Sequence, residues 1–122
     1  MFNPYSEEER LQAMISACYR ASRSHFSHLS MGHIINPPRD MFDAKLARQI
    51  AIHIMTVEFD VPRRRLMSLL ALARTTIYGA VCTVDDRKYD PVFERAYDRI
   101  AARARDLFMT ALNEAAEQED AA

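Results

Sequence analysis

An all-α fold of about five helices, set around a central helix-turn-helix, is predicted by three features of the 122-residue chain. Nearly half of the residues are hydrophobic, with much Ala, Leu, Met and Ile, and there are only two glycines, Gly32 and Gly79. Apolar residues recur at three- and four-residue spacing, the period of one helix face, and no alternating run bounded by Gly or Asn-Gly turns occurs. Between Asp60 and Val84 two short apolar segments are separated by a tight break, which is the pattern of paired helices.

The first helix is expected from about Glu7 to Ser24. Ser6 followed by Glu9 is a capping-box pattern, and Glu7, Glu8 and Glu9 put negative charge in the first turn, where the helix dipole favours it. Leu11, Met14, Ile15, Cys18 and Ala21 form one apolar face. It must pack on the rest of the domain or on a second copy. Gly32 and the run Asn36-Pro37-Pro38 interrupt regular structure and mark a connection. Residues 1–38 are therefore read as an N-terminal accessory helix and linker, 39–113 as the main domain, and 114–122 as an acidic tail expected to fray.

Asp40 can cap the next helix, which would run to about Phe59 with Phe42, Leu46, Ile50, Ile54 and Val57 on one stripe. His53 on this apolar helix reads as a satisfied core or boundary side chain. Pro62 suits the first turn of the following short helix, because its missing N–H has no partner there and its φ is already helical. Leu66, Leu69 and Leu70 give that helix an apolar face. After a break near Leu70 to Ala73, Ile77, Ala80, Val81 and Val84 are the inward positions of a second helix. Asp90-Pro91 is an N-cap followed by Pro at the first helical position. The last helix should then reach about Leu112. Its residues Phe93, Tyr97, Ile100, Ala104, Leu107 and Ala111 step by four and three, a heptad seam. Val92, Phe108 and Leu112 widen that face, which favours a core-facing helix over a coiled coil.

The second helix of the central pair opens with Arg74, Thr75 and Thr76. In a helix-turn-helix these positions face base edges in the major groove, while the first helix crosses the backbone. A guanidinium that can fork onto guanine and two hydroxyls are suitable groups for that work. Arg63, Arg64 and Arg65 stand at the start of the first helix, about 100° apart, so they cannot all face one way. The helix dipole disfavours cations at that end, which argues for an external anion such as phosphate.

The run LARQIAIHIM, then VP, then RTTIYGAVCTV, is similar to the C-terminal DNA-binding domain of the bacterial chromosomal replication initiator DnaA, an all-helical domain related to the Trp repressor. Arg48-Gln49 matches the Arg-Gln pair that opens a long helix in that family. Val61-Pro62 approximates its Leu-Pro, and Thr75-Thr76 matches its two recognition threonines. The resemblance covers roughly Asp43 to Phe108. It implies minor-groove contact by Arg48 and major-groove contact by Thr75 and Thr76. Where the family has a Gly-rich turn with Arg-Asp-His, this chain has Leu70-Ala71-Leu72-Ala73-Arg74, one residue longer, with Ala73 for the acidic reader and Arg74 for His. DNA binding survives that comparison better than recognition of the initiator's own box. No GxxxxGK[ST] phosphate loop is present, so no nucleotide is expected and an ATP-driven initiator is excluded.

The net charge of −1 is unevenly distributed: zero over residues 1–38, +3 over 39–78 and −4 over 79–122. The basic excess falls on the segment that carries the motif, and a local basic face is what DNA affinity requires. With no apolar leader and no run of 18 apolar residues, the chain is expected to be a bacterial cytoplasmic, nucleoid-associated protein without a membrane partner. Cys18 and Cys82 are widely separated, which fits buried thiols in a reducing compartment. His25, His28 and His33 lack paired metal-ligand spacing, so no metal or other cofactor is expected. Nucleophile, paired carboxylates and phosphate loop are all missing as patterns, and an enzyme is the least favoured class. The expected partner is double-stranded DNA, with a homodimer through the first or last helix doubling the site. The alternative is an adaptor or inhibitor that has lost DNA binding and acts through protein contacts of its N-terminal helix and acidic C-terminal face.

Overall fold

The computed structural model describes residues 2–121 and is all-helical, with no strand among the described residues. Its helices are α1 (Glu7–His25), α2 (Met31–Ile35), α3 (Phe42–His53), α4 (Arg63–Leu70), α5 (Arg74–Arg87) and α6 (Pro91–Ala121). A π-helical turn, Ile54–Glu58, continues α3. Among the described residues six helices thus stand where about five were expected. The addition is α2, a five-residue helix started by Ser30, whose Oγ accepts from the His33 N–H at 3.1 Å. Five residues are too few to carry a periodic signal.

The centre of the molecule is α3. Ile50, Ala51, Ile52, His53, Ile54 and Met55 are six consecutive residues with no more than 2% exposure. A single stripe was expected, yet Phe42 and Val57 at its ends are exposed. Two physical reasons apply. The C-terminal end of α3, in a helix packed between α1 and α5 with α2 also against it, is apolar on all sides, whereas its first turns carry exposed Phe42, Asp43 and Lys45. The π turn, closed by the Phe59 N–H on the Ile54 carbonyl at 3.0 Å, adds a residue to the helical turn and rotates Val57 outwards. Each fully buried Ile contributes roughly 1.5–3 kcal/mol relative to exposure. Ala44, Ala47 and Ala51 are wholly enclosed, and their small side chains let neighbouring helices approach closely. Ser22 of α1 donates its hydroxyl to the Ala47 carbonyl at 2.7 Å, fixing the register of α1 on α3.

The N-terminal helix contributes to the common core. Its Leu11, Cys18, Tyr19 and Ala21 belong to the same apolar cluster as Ile50 of α3, Val84 of α5 and Tyr97 of α6. Ser6 caps it through the Glu9 N–H, but the Glu9 carboxylate accepts from the Asn3 N–H instead of closing the box on Ser6. Helix α6 runs past Leu112 to Ala121, through the segment expected to fray, and Ala115 there is buried. Its seam residues Tyr97, Ile100 and Ala104 are buried in the chain's own core. The apolar faces of α1 and α6 are therefore largely used within one copy. No single helix among the described residues is long and apolar enough to cross a membrane.

Two helix starts differ from expectation by a residue. Met41, not Asp40, is the N-cap of α3 and gives no side-chain hydrogen bond. Pro62 is the N-cap of α4, not its first residue, because its ψ of 133° is extended although its φ of −58° suits a helix. The preceding Asp60 turns the chain with a left-handed φ of 54°, a conformation Asp tolerates better than most residues.

Candidate functional site

Helices α4 and α5 are joined by three residues, 71–73, and lie at 116° to each other. The turn is made by Ala71 in the left-handed region, φ 52° and ψ 45°, where helices usually place Gly. A Cβ in that conformation costs about 1 kcal/mol. Val61 and Leu66 on one side, and Ile77, Ala80 and Val84 on the other, hold the corner to the core.

The two helix starts at this corner, like that of α3, differ from the starts of α1, α2 and α6. Helices α1, α2 and α6 are capped by Ser6, Ser30 and Asp90, the last accepting from the Val92 N–H at 2.9 Å. Neither α4 nor α5 has a side-chain cap. The backbone N–H groups of Arg63, Arg64, Arg65, Arg74 and Thr75 consequently have no hydrogen-bond partner among the described residues. Both ends carry the partial positive charge of a helix N-terminus, and both begin with arginine.

Arg63, Arg64, Arg74 and Thr75 are exposed, whereas Arg65 and Thr76 are half-buried. The Arg63 guanidinium stands 5.8 Å from the centroid of the Tyr78 ring, reaching from the start of α4 to the second turn of α5. Arg74 and Tyr78 are four residues apart on α5 and share a face, so Arg63, Arg74 and Tyr78 form one outward surface. Tyr78 is 58% exposed. None of these arginines forms an ion pair with a carboxylate among the described residues.

Arg48 and Gln49 sit elsewhere, half-buried on α3. The Nε of Arg48 is enclosed without a hydrogen-bond partner among the described residues. Its charge acts on the Tyr19 hydroxyl of α1, which burial pushes above its ordinary value and Arg48 draws partly back. Pro62 is exposed and serves the corner as the α4 N-cap. The structure thus gathers Arg63, Arg74 and Thr75 at the corner and puts Arg48 in the seam between α1 and α3.

A second polar constellation runs from the core to the surface, where the Asp85 side chain is 59% exposed. His53 Nε2 is 2.7 Å from Asp85 Oδ1, and His53 Nδ1 is 2.6 Å from the Tyr97 hydroxyl. An ionised carboxylate only accepts, so the Nε2–H donates to Asp85 and, in the neutral ring, Nδ1 accepts from Tyr97. Burial, aided by the charges of Glu58 and Asp85, pushes the Tyr97 hydroxyl far above its ordinary value and keeps it protonated. The order carboxylate, imidazole, hydroxyl is that of a nucleophile relay, but His53 and Tyr97 are each 1% exposed. The group ties α3, α5 and α6 together. Its partners lie 32 and 44 residues along the chain from His53, so no local spacing could have disclosed it. Compared with known proteins, the chain matches no protein-family model, no curated protein and no solved structure.

Proposed function

We propose that the chain is a sequence-specific double-stranded DNA-binding protein, acting as a transcriptional regulator or replication-control factor through α4 and α5 as a helix-turn-helix of the initiator-like type. The observation that carries this reading is the pair of uncapped helix starts at one 116° corner, each opened by unpaired arginine. Short helices at about 90–120° across a three- or four-residue turn are the helix-turn-helix form. In that form the start of α5 enters the major groove, with Arg74 and Thr75 at base edges. Arg63 and Arg64 take phosphates, and free N–H groups at both helix starts add neutral donors to the same anions. Arg65 and Thr76, being half-buried, support these groups more than they read bases. Tyr78 orients Arg63 through its ring face. Arg48 is assigned to an adjoining backbone or minor-groove contact by the initiator resemblance alone.

The apolar face of α1, one of the surfaces through which an adaptor would act, packs into the chain's own core. The test is selection from a random-sequence duplex pool at two salt concentrations, with wild type and an Arg74→Ala, Thr75→Ala variant. The expected result is an enriched motif that the variant loses. Wild-type affinity should fall with salt with the slope of roughly four to six neutralised phosphates. Failure of wild type to retain any duplex at the lower salt would overturn the reading.

A further inference from the structure

A second cationic feature lies outside the α4–α5 corner. A cavity of about 360 Å³ opens between the C-terminal end of α1 and the middle of α6, lined by Arg20, Arg23 and Arg103 together with Ser24 and Ser27. No carboxylate lines it. Among the described residues none of the three guanidiniums is in an ion pair, although Asp106 stands only three residues from Arg103 on α6. Arg23 is steadied by donation from its Nε to the Leu29 carbonyl at 3.3 Å, which leaves its terminal nitrogens unengaged. Arg20 and Arg103 make no side-chain hydrogen bond within the described residues.

Three like charges around one cavity repel one another, and the fold supplies little to offset them. The end of α1 contributes the partial negative charge of its carbonyls, about half an elementary charge against three full positive ones. A compact anion would reverse the sign of every pairwise term at once. Guanidiniums fork onto phosphate oxygens with short charge-assisted bonds, and the hydroxyls of Ser24 and Ser27 are further donors at the same mouth. Met31 and Leu107 supply an apolar wall beside them. A volume of this size falls within the range of small-molecule sites, and the three guanidiniums stand exposed around its mouth.

We propose that this cavity binds the phosphate group of a compact soluble ligand, held by Arg20, Arg23 and Arg103, with Met31 and Leu107 against the ligand's organic part. The site is separate from the α4–α5 corner and does not depend on the DNA-binding reading. The probe is inorganic phosphate, titrated at constant ionic strength against chloride, with thermal unfolding and calorimetry as readouts. Wild type should show saturable stabilisation. The Arg23→Gln, Arg103→Gln variant should bind phosphate at least tenfold more weakly, while Arg39→Gln, an equal charge change away from the cavity, should bind as wild type does. In low-salt chloride without phosphate, Arg103→Gln should melt higher than wild type, since one repelling charge is gone. That ligand-free reading keeps the test valid whatever the phosphate affinity. Equal phosphate responses in wild type and the double variant, or a response reproduced by chloride alone, would overturn the proposal. So would loss of duplex affinity in the double variant with no phosphate response in wild type, which would give these arginines to a nucleic-acid surface.

Discussion

The His53 centre and the α4–α5 corner treat polar groups in opposite ways. Around His53, both ring nitrogens, the Tyr97 hydroxyl and an Asp85 oxygen find partners inside the chain. At the corner, five backbone N–H groups and the exposed side chains of Arg63, Arg64 and Arg74 find none among the described residues. Burial explains the first, since an enclosed polar group without a partner costs about 1–3 kcal/mol. Water satisfies the second, and a ligand can replace that water. Substitutions should accordingly act on stability in one region and on binding in the other.

The sharpest way to break this contrast is His53→Ala. It opens a cavity, orphans the Tyr97 hydroxyl and should lower unfolding free energy by about 4 kcal/mol in a urea titration. A loss below about 1 kcal/mol would mean that the centre does not hold α3, α5 and α6 together. Next in size is an alkaline effect. Burial pushes the Cys18 thiol, like the Tyr97 hydroxyl, far above its ordinary value, so the folded state keeps a proton that the unfolded state releases. Stability is fully present below the unfolded thiol value of about 8.5 and is lost as pH rises, by roughly 2 kcal/mol at pH 10. In Cys18→Ala the decline should begin only near the tyrosine value of about 10.

Arg74→Ala tests the other region. Specific duplex affinity should weaken by about 1–3 kcal/mol while stability stays within about 0.5 kcal/mol of wild type. A variant that unfolds as readily as it loses DNA would show that the corner is structural after all. The smallest effect belongs to the turn between the two helices. Ala71→Gly removes a Cβ from a left-handed position and should raise stability by about 1 kcal/mol, whereas Ala71→Val should lower it.

Much of this architecture is legible in local patterns. Ile77, Ala80, Val81 and Val84 are all buried, as their three- and four-residue spacing predicts, because a helix on a core must repeat its inward residues at that period. The break at Ala71 to Ala73 is legible for a similar reason: the apolar register restarts there. What escapes is whatever depends on distant partners. Nothing local marks Ile50 to Met55 as enclosed on all sides, or Asp85 and Tyr97 as partners of His53. The π turn is a tertiary accommodation, and it moves Val57 out of the stripe in which its spacing placed it. At the candidate site, Arg63, Arg64, Arg74 and Thr75 are identifiable as charged or polar residues at helix starts. The Tyr78 ring beneath Arg63 needs the 116° bend to exist, and the half-burial of Arg48 needs α1 in place.

The unbroken burial of Ile50 to Met55 also sets a clock. Amide protons in that stretch can reach water only when the packing on every side is released together, so their exchange reports the opening of the whole molecule. The first turns of α4 and α5 have no such enclosure, and their unpartnered amides exchange without any opening. Two timescales thus coexist in one chain, a slow interior and a fast rim; an anion bound at the rim would slow the rim directly and the interior only through the added stability of the folded state.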